Sequence, residues 1–180
     1  MFKDLLERPA VKYGLLTGAV IFVVKAAIYA SGNIAFRFNP VYTLGTAMLV
    51  LLSLTLVFRE RVDIKLGNYL LSGMILVLIT FTLSATCDQL FYKINPDIPN
   101  EISAIRLQQV EEFEESFESP VLDEFKEELK KSNLEDVGLV PYLQYIFNTS
   151  AVNFICVFGV ALYFWLRARR ARDFVGRRDS

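Results

Sequence analysis

The sequence predicts an all-α membrane protein, a four-transmembrane-helix bundle with an extracytoplasmic helical hairpin between spans three and four. Three observations predict this class. Long apolar runs alternate with short charged clusters along the 180 residues, of which 53% are hydrophobic. Lysine and arginine gather in the segments that would share one side of a membrane. The acidic residues are concentrated in one hydrophilic block, whereas a soluble chain would mix charged and apolar residues.

Four apolar stretches are long enough to cross a membrane. They cover residues 10–31, 41–58, 69–87 and 142–166. A hydrocarbon core ~30 Å thick needs about 20 helical residues at ~1.5 Å each. Pro9 precedes the first stretch and Asn39-Pro40 the second, where a helix accepts an asparagine cap and a first-turn proline. Buried helices of a soluble bundle would show a polar stripe, but residues 41–58 contain no charge. We therefore treat the chain as a single membrane domain.

The basic residues orient the spans. Of the 19 lysines and arginines, 12 fall in the N-terminal segment, the loop between spans two and three, and the C-terminal tail. With four spans these segments share one side, and cytoplasmic loops carry the basic excess. We therefore expect a multi-pass protein of an inner membrane with both termini in the cytoplasm. The arginine-rich tail is interpreted as a topology anchor that contacts anionic lipid of the bilayer, and we expect no nucleic acid partner.

Residues 93–140 form a large acidic loop. Between Asp97 and Asp136 the chain has 13 acidic and 4 basic residues, a net charge of −9. Apolar residues recur there at helical spacing, and Ser119-Pro120 divides them into two helices. This pattern predicts a hairpin, whose expected apolar face comprises Ile105, Phe113, Phe117, Phe125 and Leu129.

The apolar face of the hairpin is expected to be shielded from water by contact with another surface. It can cap the bundle, bind a protein partner or a second copy of the chain, or lie on the membrane, although membrane-lying helices usually carry basic polar faces. A calcium site among the glutamates stays open as an alternative, but the run lacks the Asp/Asn/Gly spacing of a calcium loop. Asn95-Pro96 and Ile98-Pro99 predict a turn between span three and the hairpin.

Lys25 is the unusual residue of span one. Counting back from Gly32 at ~1.5 Å per residue places it ~10 Å inside the outer end. An ionised side chain is costly in lipid, so we expect Lys25 to face the bundle, to pair or to snorkel. Asp88, at the outer end of span three, is the candidate partner for an intramembrane ion pair. The alternatives are that Lys25 snorkels alone beside an interfacial Asp88, or that both belong to a proton or substrate relay.

Small and polar residues predict contacts between spans. Gly14 and Gly18 form a stripe that allows close helix approach, and side chains such as Thr82 and Asn153 can form hydrogen bonds across helices. The glycine motif is common and by itself is weak evidence for a dimer.

The composition also limits the function. Without histidine the chain lacks the commonest general base and metal ligand, so we expect neither an enzyme nor a metal site nor a cofactor. We expect a structural or accessory interaction protein that uses its acidic hairpin. The alternative is a small oligomeric transporter or channel with a polar path near Lys25 and Asp88.

The layout as a whole is similar to a known family. Tyr13-Gly14-Leu15-Leu16-Thr17-Gly18 lies in span one, and Phe91-Tyr92-Lys93-Ile94-Asn95-Pro96-Asp97 lies at the exit of span three. With the basic loop, the Glu/Gln-rich loop and the basic tail, the chain resembles the bacterial "domain of unknown function 4199" family of four-span membrane proteins. The resemblance covers nearly the whole chain and implies the bacterial inner (cytoplasmic) membrane as its location. The family carries no established activity, so the resemblance implies no catalytic residues.

Overall fold

In a computed structural model, residues 8–60, 65–114 and 139–176 are described, and these ranges contain helices and no strand. The helices are α1 (Pro9–Ala30), a short 3-10 helix (Ile34–Phe38), α2 (Pro40–Glu60), α3 (Leu66–Ile94), α4 (Ile98–Glu114) and α5 (Leu139–Gly176). Of these, α1, α2 and α3 are long and apolar enough to cross a membrane. The prediction of a helical chain with long apolar spans is confirmed at this level, whereas the fourth span and the hairpin stay predictions.

The bundle is organised around α3. It packs along α1 on one side and along α5 on the other, and α2 contacts all three of these helices. A core of fully buried side chains joins α2, α3 and α5, including Leu54, Leu76 and Val157, each 0% exposed. Large apolar side chains also point outward, among them Met48 at 70% and Ile155 at 76% exposed. Apolar surface on both sides of a helix is suited to lipid rather than water.

Local sequence signals mark the helix ends. Pro9 lies in the first turn of α1, where the missing N–H would have had no intrahelical partner. The Oδ1 atom of Asn39 accepts a hydrogen bond from the N–H of Val41 at 2.8 Å and so caps α2, as predicted. After α1, Gly32 has a φ of +70°, a left-handed conformation that glycine adopts without Cβ strain. It turns the chain towards the 3-10 helix.

Three glycines bring α3 close to its neighbours. A Cβ atom at Gly14 would lie 3.2 Å from the nearest α3 side chain, and one at Gly18 would lie 2.7 Å from Leu83. The predicted small-residue stripe of α1 therefore faces α3 of the same chain. Gly73 has the same role between α3 and α5, because a Cβ there would overlap the side chain of Val157.

The loop regions differ from the sequence prediction. Helix α3 continues to Ile94 instead of ending near residue 87. The predicted turn is present at Pro96 and Asp97, but it is shorter than expected, because α4 begins directly after it at Ile98. Pro99 is compatible with this start because the first turn of a helix does not need its N–H. The 3-10 helix was not predicted, since its 5 residues are too few to show a periodic pattern.

A candidate functional site at one end of the bundle

The carboxylate of Asp88, near the end of α3, lies at the centre of a buried polar site. The Nζ atom of Lys25 is 2.7 Å from its Oδ2 atom, and Nη2 of Arg37 is 3.0 Å from the same oxygen. The hydroxyl of Tyr29 donates a hydrogen bond to Oδ1 at 2.6 Å. One carboxylate thus accepts bonds from three side chains on two neighbouring elements.

The donors are placed by helix periodicity and by the 3-10 helix. Lys25 and Tyr29 are four residues apart on α1, so their side chains share one face. Arg37 comes from the 3-10 helix and also donates to the hydroxyl of Tyr29 and, at 3.1 Å, to that of Tyr92 on α3. We call Lys25, Tyr29, Arg37, Asp88 and Tyr92 the ionic cluster.

The charged members of the ionic cluster are almost inaccessible. The side chains of Lys25, Asp88 and Arg37 are 4%, 6% and 9% exposed. Removing charges from water is costly, and mutual attraction offsets that cost only with short contacts and further hydrogen bonds. The backbone carbonyl of Ser84 supplies one such further contact, 3.4 Å from Nζ of Lys25. The geometry therefore fixes α1, the 3-10 helix and α3 in one mutual arrangement.

Helix α4 closes this end of the bundle. Its residues Ile98 and Ile102 are each 2% exposed and share an apolar core with Tyr29, Ile34 and Cys87. Ile105, one turn further along α4, is partly buried against the same core. The apolar side of α4 is thus placed over the ionic cluster.

The structure brings together some of the residues that the sequence indicated. Lys25 and Asp88 are in direct contact, although the role of the pair stays a prediction. Asn153 is half-buried on α5. Phe113 lies in α4, and three further hairpin residues fall outside the described ranges, namely Phe117, Phe125 and Leu129.

Thr82 does not have the position expected for a cross-helix contact. It is exposed, and its hydroxyl donates to the carbonyl of Leu78 in its own helix at 2.7 Å. Thr80 instead points inward and donates to the carbonyl of Gly14 on α1 at 3.3 Å. Residues two apart on a helix of ~3.6 residues per turn lie on nearly opposite sides, so both cannot face α1.

Sequence reasoning missed three members of the ionic cluster, namely Arg37, Tyr29 and Tyr92. Arg37 belongs to the short segment after span one. Its signal was present nonetheless: a single basic residue in the aromatic segment Ile34–Phe38, on the side where basic residues are scarce.

The ionic cluster is suited to holding helices together more than to proton transfer. A carboxylate that accepts three hydrogen bonds has few lone pairs left for a substrate or a water molecule. In the described ranges, no group of three or more Cys, Asp or Glu side chains could hold a metal ion.

Comparison with protein-family models, with curated protein sequences and with solved structures finds no match to this chain. The resemblance to the four-span bacterial family therefore stays a prediction. The interpretation of the site rests on its geometry.

Proposed function

We propose that this chain is a four-span protein of the bacterial inner membrane with a structural or accessory interaction role. In this proposal both termini are cytoplasmic, and the acidic segment 93–140 is a helical hairpin presented on the opposite side. The observation that carries the proposal is the packing of α4 over the ionic cluster. It connects the acidic segment to a closed, fixed end of the bundle.

The length and surface of α5 support a fourth span. Its 38 residues extend ~57 Å at ~1.5 Å per residue, more than the ~30 Å of a hydrocarbon core. Apolar side chains on its outer surface include Ile155 at 76% and Phe158 at 51% exposed. The remaining length carries Arg167, Arg169 and Arg170, which suits a cytoplasmic extension.

The charge of the acidic segment indicates the kind of partner. Glu111 and Glu112 are exposed on α4, and residues 97–136 carry a net charge of −9. Such a surface attracts a basic protein surface and repels anionic lipid. Ile98 and Ile102 hold the start of α4 on the bundle. The acidic segment is therefore attached to the membrane domain at a fixed point.

A photocrosslinking residue at Glu112 tests the proposal in native membranes. We expect a discrete protein adduct there and none at the control position Val23, which is 65% exposed on α1 and faces lipid in the proposed arrangement. A second variant keeps the crosslinker but replaces residues 115–138 by a glycine-serine linker of equal length, and we expect it to lose the adduct. The same adduct at Val23, or one unaffected by the linker, would contradict the interaction role.

One observation favours the transporter or channel as a second candidate. Ionisable residues within membrane-spanning helices are often functional, and Lys25 and Asp88 lie on α1 and α3. A transport path requires that Asp88 be reached by water and protonated during the cycle. A hydrophobic carbodiimide, which modifies protonated carboxyl groups, would then label the wild-type chain and spare Asp88→Asn. We expect no labelling difference between the two, because the carboxylate is enclosed by its three donors.

A further inference from the structure

Two arginines line a groove between α2 and α5, at the end of α2 remote from the ionic cluster. Arg59 and Arg167 are both exposed. They border a cavity of about 560 Å³ whose walls include Thr55, Gly159 and Tyr163. A second cavity of about 320 Å³ adjoins the same two arginines and shares Phe164 with the first. We call the two cavities together the α2/α5 groove.

The α2/α5 groove is charged at its mouth and apolar further in. Thr55 precedes Arg59 by four residues and Gly159 precedes Arg167 by eight, so they lie ~6 and ~12 Å deeper along their helices. The hydroxyl of Thr55 donates to the carbonyl of Leu51 at 2.9 Å and is satisfied within its own helix. At Gly159 a Cβ atom would meet nothing within 4 Å, which leaves open space along α5.

Both guanidinium groups at the mouth are available for a ligand. Within the described ranges no hydrogen bond or ion pair engages Arg59 or Arg167. By contrast, the neighbouring Arg169 lies over the ring of Trp165, with Cζ 5.6 Å from the ring centre. A planar guanidinium binds phosphate oxygens through two parallel hydrogen bonds. Arg59 and Arg167 border the same two cavities, so two guanidinium groups surround one space.

We propose that the α2/α5 groove binds an anionic phospholipid of the surrounding membrane. The phosphate group lies between Arg59 and Arg167, and an acyl chain follows the open path past Gly159. Basic pockets between transmembrane helices on the cytoplasmic side bind anionic headgroups in this way. The inference rests on the proposed four-span topology, which places both arginines at the cytoplasmic boundary.

Native mass spectrometry of the full chain in a mild detergent tests the inference, with phosphatidylglycerol and phosphatidylcholine as probes. We expect retention of phosphatidylglycerol in preference to phosphatidylcholine. Arg59→Gln/Arg167→Gln should weaken phosphatidylglycerol binding by about tenfold or more, since it removes both guanidinium groups that contact the phosphate. The control Arg169→Gln/Arg170→Gln removes the same charge from side chains that do not line the groove, where salt screens the attraction, and should stay within about twofold of wild type.

A variant that keeps every charge distinguishes binding in the groove from a general attraction of anionic lipid to the basic tail. Gly159→Leu fills the apolar part of the groove, and we expect it to weaken phosphatidylglycerol binding while leaving the arginines in place. An equal loss in the two double variants, or a wild-type protein with no preference for phosphatidylglycerol, would overturn the inference. If the chain is membrane-inserted with the proposed topology and still shows no preference, only the lipid site fails. If it does not fractionate with membranes, the proposed function itself fails.

Discussion

Replacing Asp88 by asparagine should destabilise the bundle more than replacing Lys25 by methionine. Asp88→Asn keeps the side-chain shape but removes the carboxylate that Lys25 and Arg37 both contact, at 2.7 and 3.0 Å. Removing one partner from a buried ion pair costs about 3–5 kcal/mol, because a charge stays buried without that partner. Lys25→Met leaves Asp88 bonded to Arg37 and Tyr29. Its expected cost is therefore nearer about 1.5–3 kcal/mol, the range for one hydrogen bond to a charged group.

Thermal unfolding of the purified full chain in one detergent measures this difference. For a protein of this size, about 1 kcal/mol corresponds to about 2–4 °C in Tm, so Asp88→Asn is expected to lower Tm by about 6–20 °C. Asp97→Asn removes an exposed carboxylate and serves as the matched control, with a Tm close to wild type. The double variant Lys25→Met/Asp88→Asn should lose less than the sum of the single losses, because the two residues share one interaction.

Two results would refute this reasoning about the ionic cluster. The first is an Asp88→Asn protein whose Tm equals that of Asp97→Asn. The second is a larger loss for Lys25→Met than for Asp88→Asn. Either would show that the carboxylate of Asp88 is not the shared counter-charge of the cluster.

Two further predictions concern packing. Gly73→Ala is expected to cost about 1–3 kcal/mol, because the added methyl group would overlap Val157. Gly45→Ala, where a Cβ meets nothing, should leave Tm unchanged or raise it, and equal Tm losses in the two variants would contradict this. Ile102→Ala is expected to cost about 2–5 kcal/mol, since Ile102 is 2% exposed, and to speed amide exchange in α4. The exposed neighbour Glu101→Ala should do neither, and an unchanged exchange rate in Ile102→Ala would show that α4 is not held by this contact.

The apolar helices were predictable because lipid requires continuous apolar segments. A membrane-spanning helix has no water to satisfy its backbone, so its sequence shows a long uncharged run. Residues 41–58 are such a run, and α2 covers them. Helix starts were predictable for a different reason: Pro9 and Asn39 have local backbone preferences that need no tertiary contact.

The rotation of each helix was not predictable from the same residues. In a membrane both the inner and the outer side of a helix are apolar, so no polar stripe shows which side faces the bundle. Thr80 and Thr82 illustrate this, because the sequence offers both hydroxyls and only Thr80 reaches α1. Lys25 was easier to interpret, since an ionised side chain is costly in lipid and is expected to face the bundle, to pair or to snorkel. The contact between Arg37 and Asp88 depends on the 3-10 helix that carries Arg37. A helix of five residues is too short to show a periodic pattern in the sequence.

The proposed four-span arrangement is tested most directly by the accessibility of single cysteines to a membrane-impermeant reagent. The two native cysteines, Cys87 and Cys156, are free and are first replaced by alanine. Single cysteines are then placed at Asn100 on α4 and at Arg170 on α5, both exposed positions. In cells with a permeable outer envelope and an intact inner membrane, a membrane-impermeant maleimide should label Asn100→Cys directly and Arg170→Cys only after lysis. Labelling of both positions from the same side would contradict a membrane-spanning α5 and, with it, the four-span account.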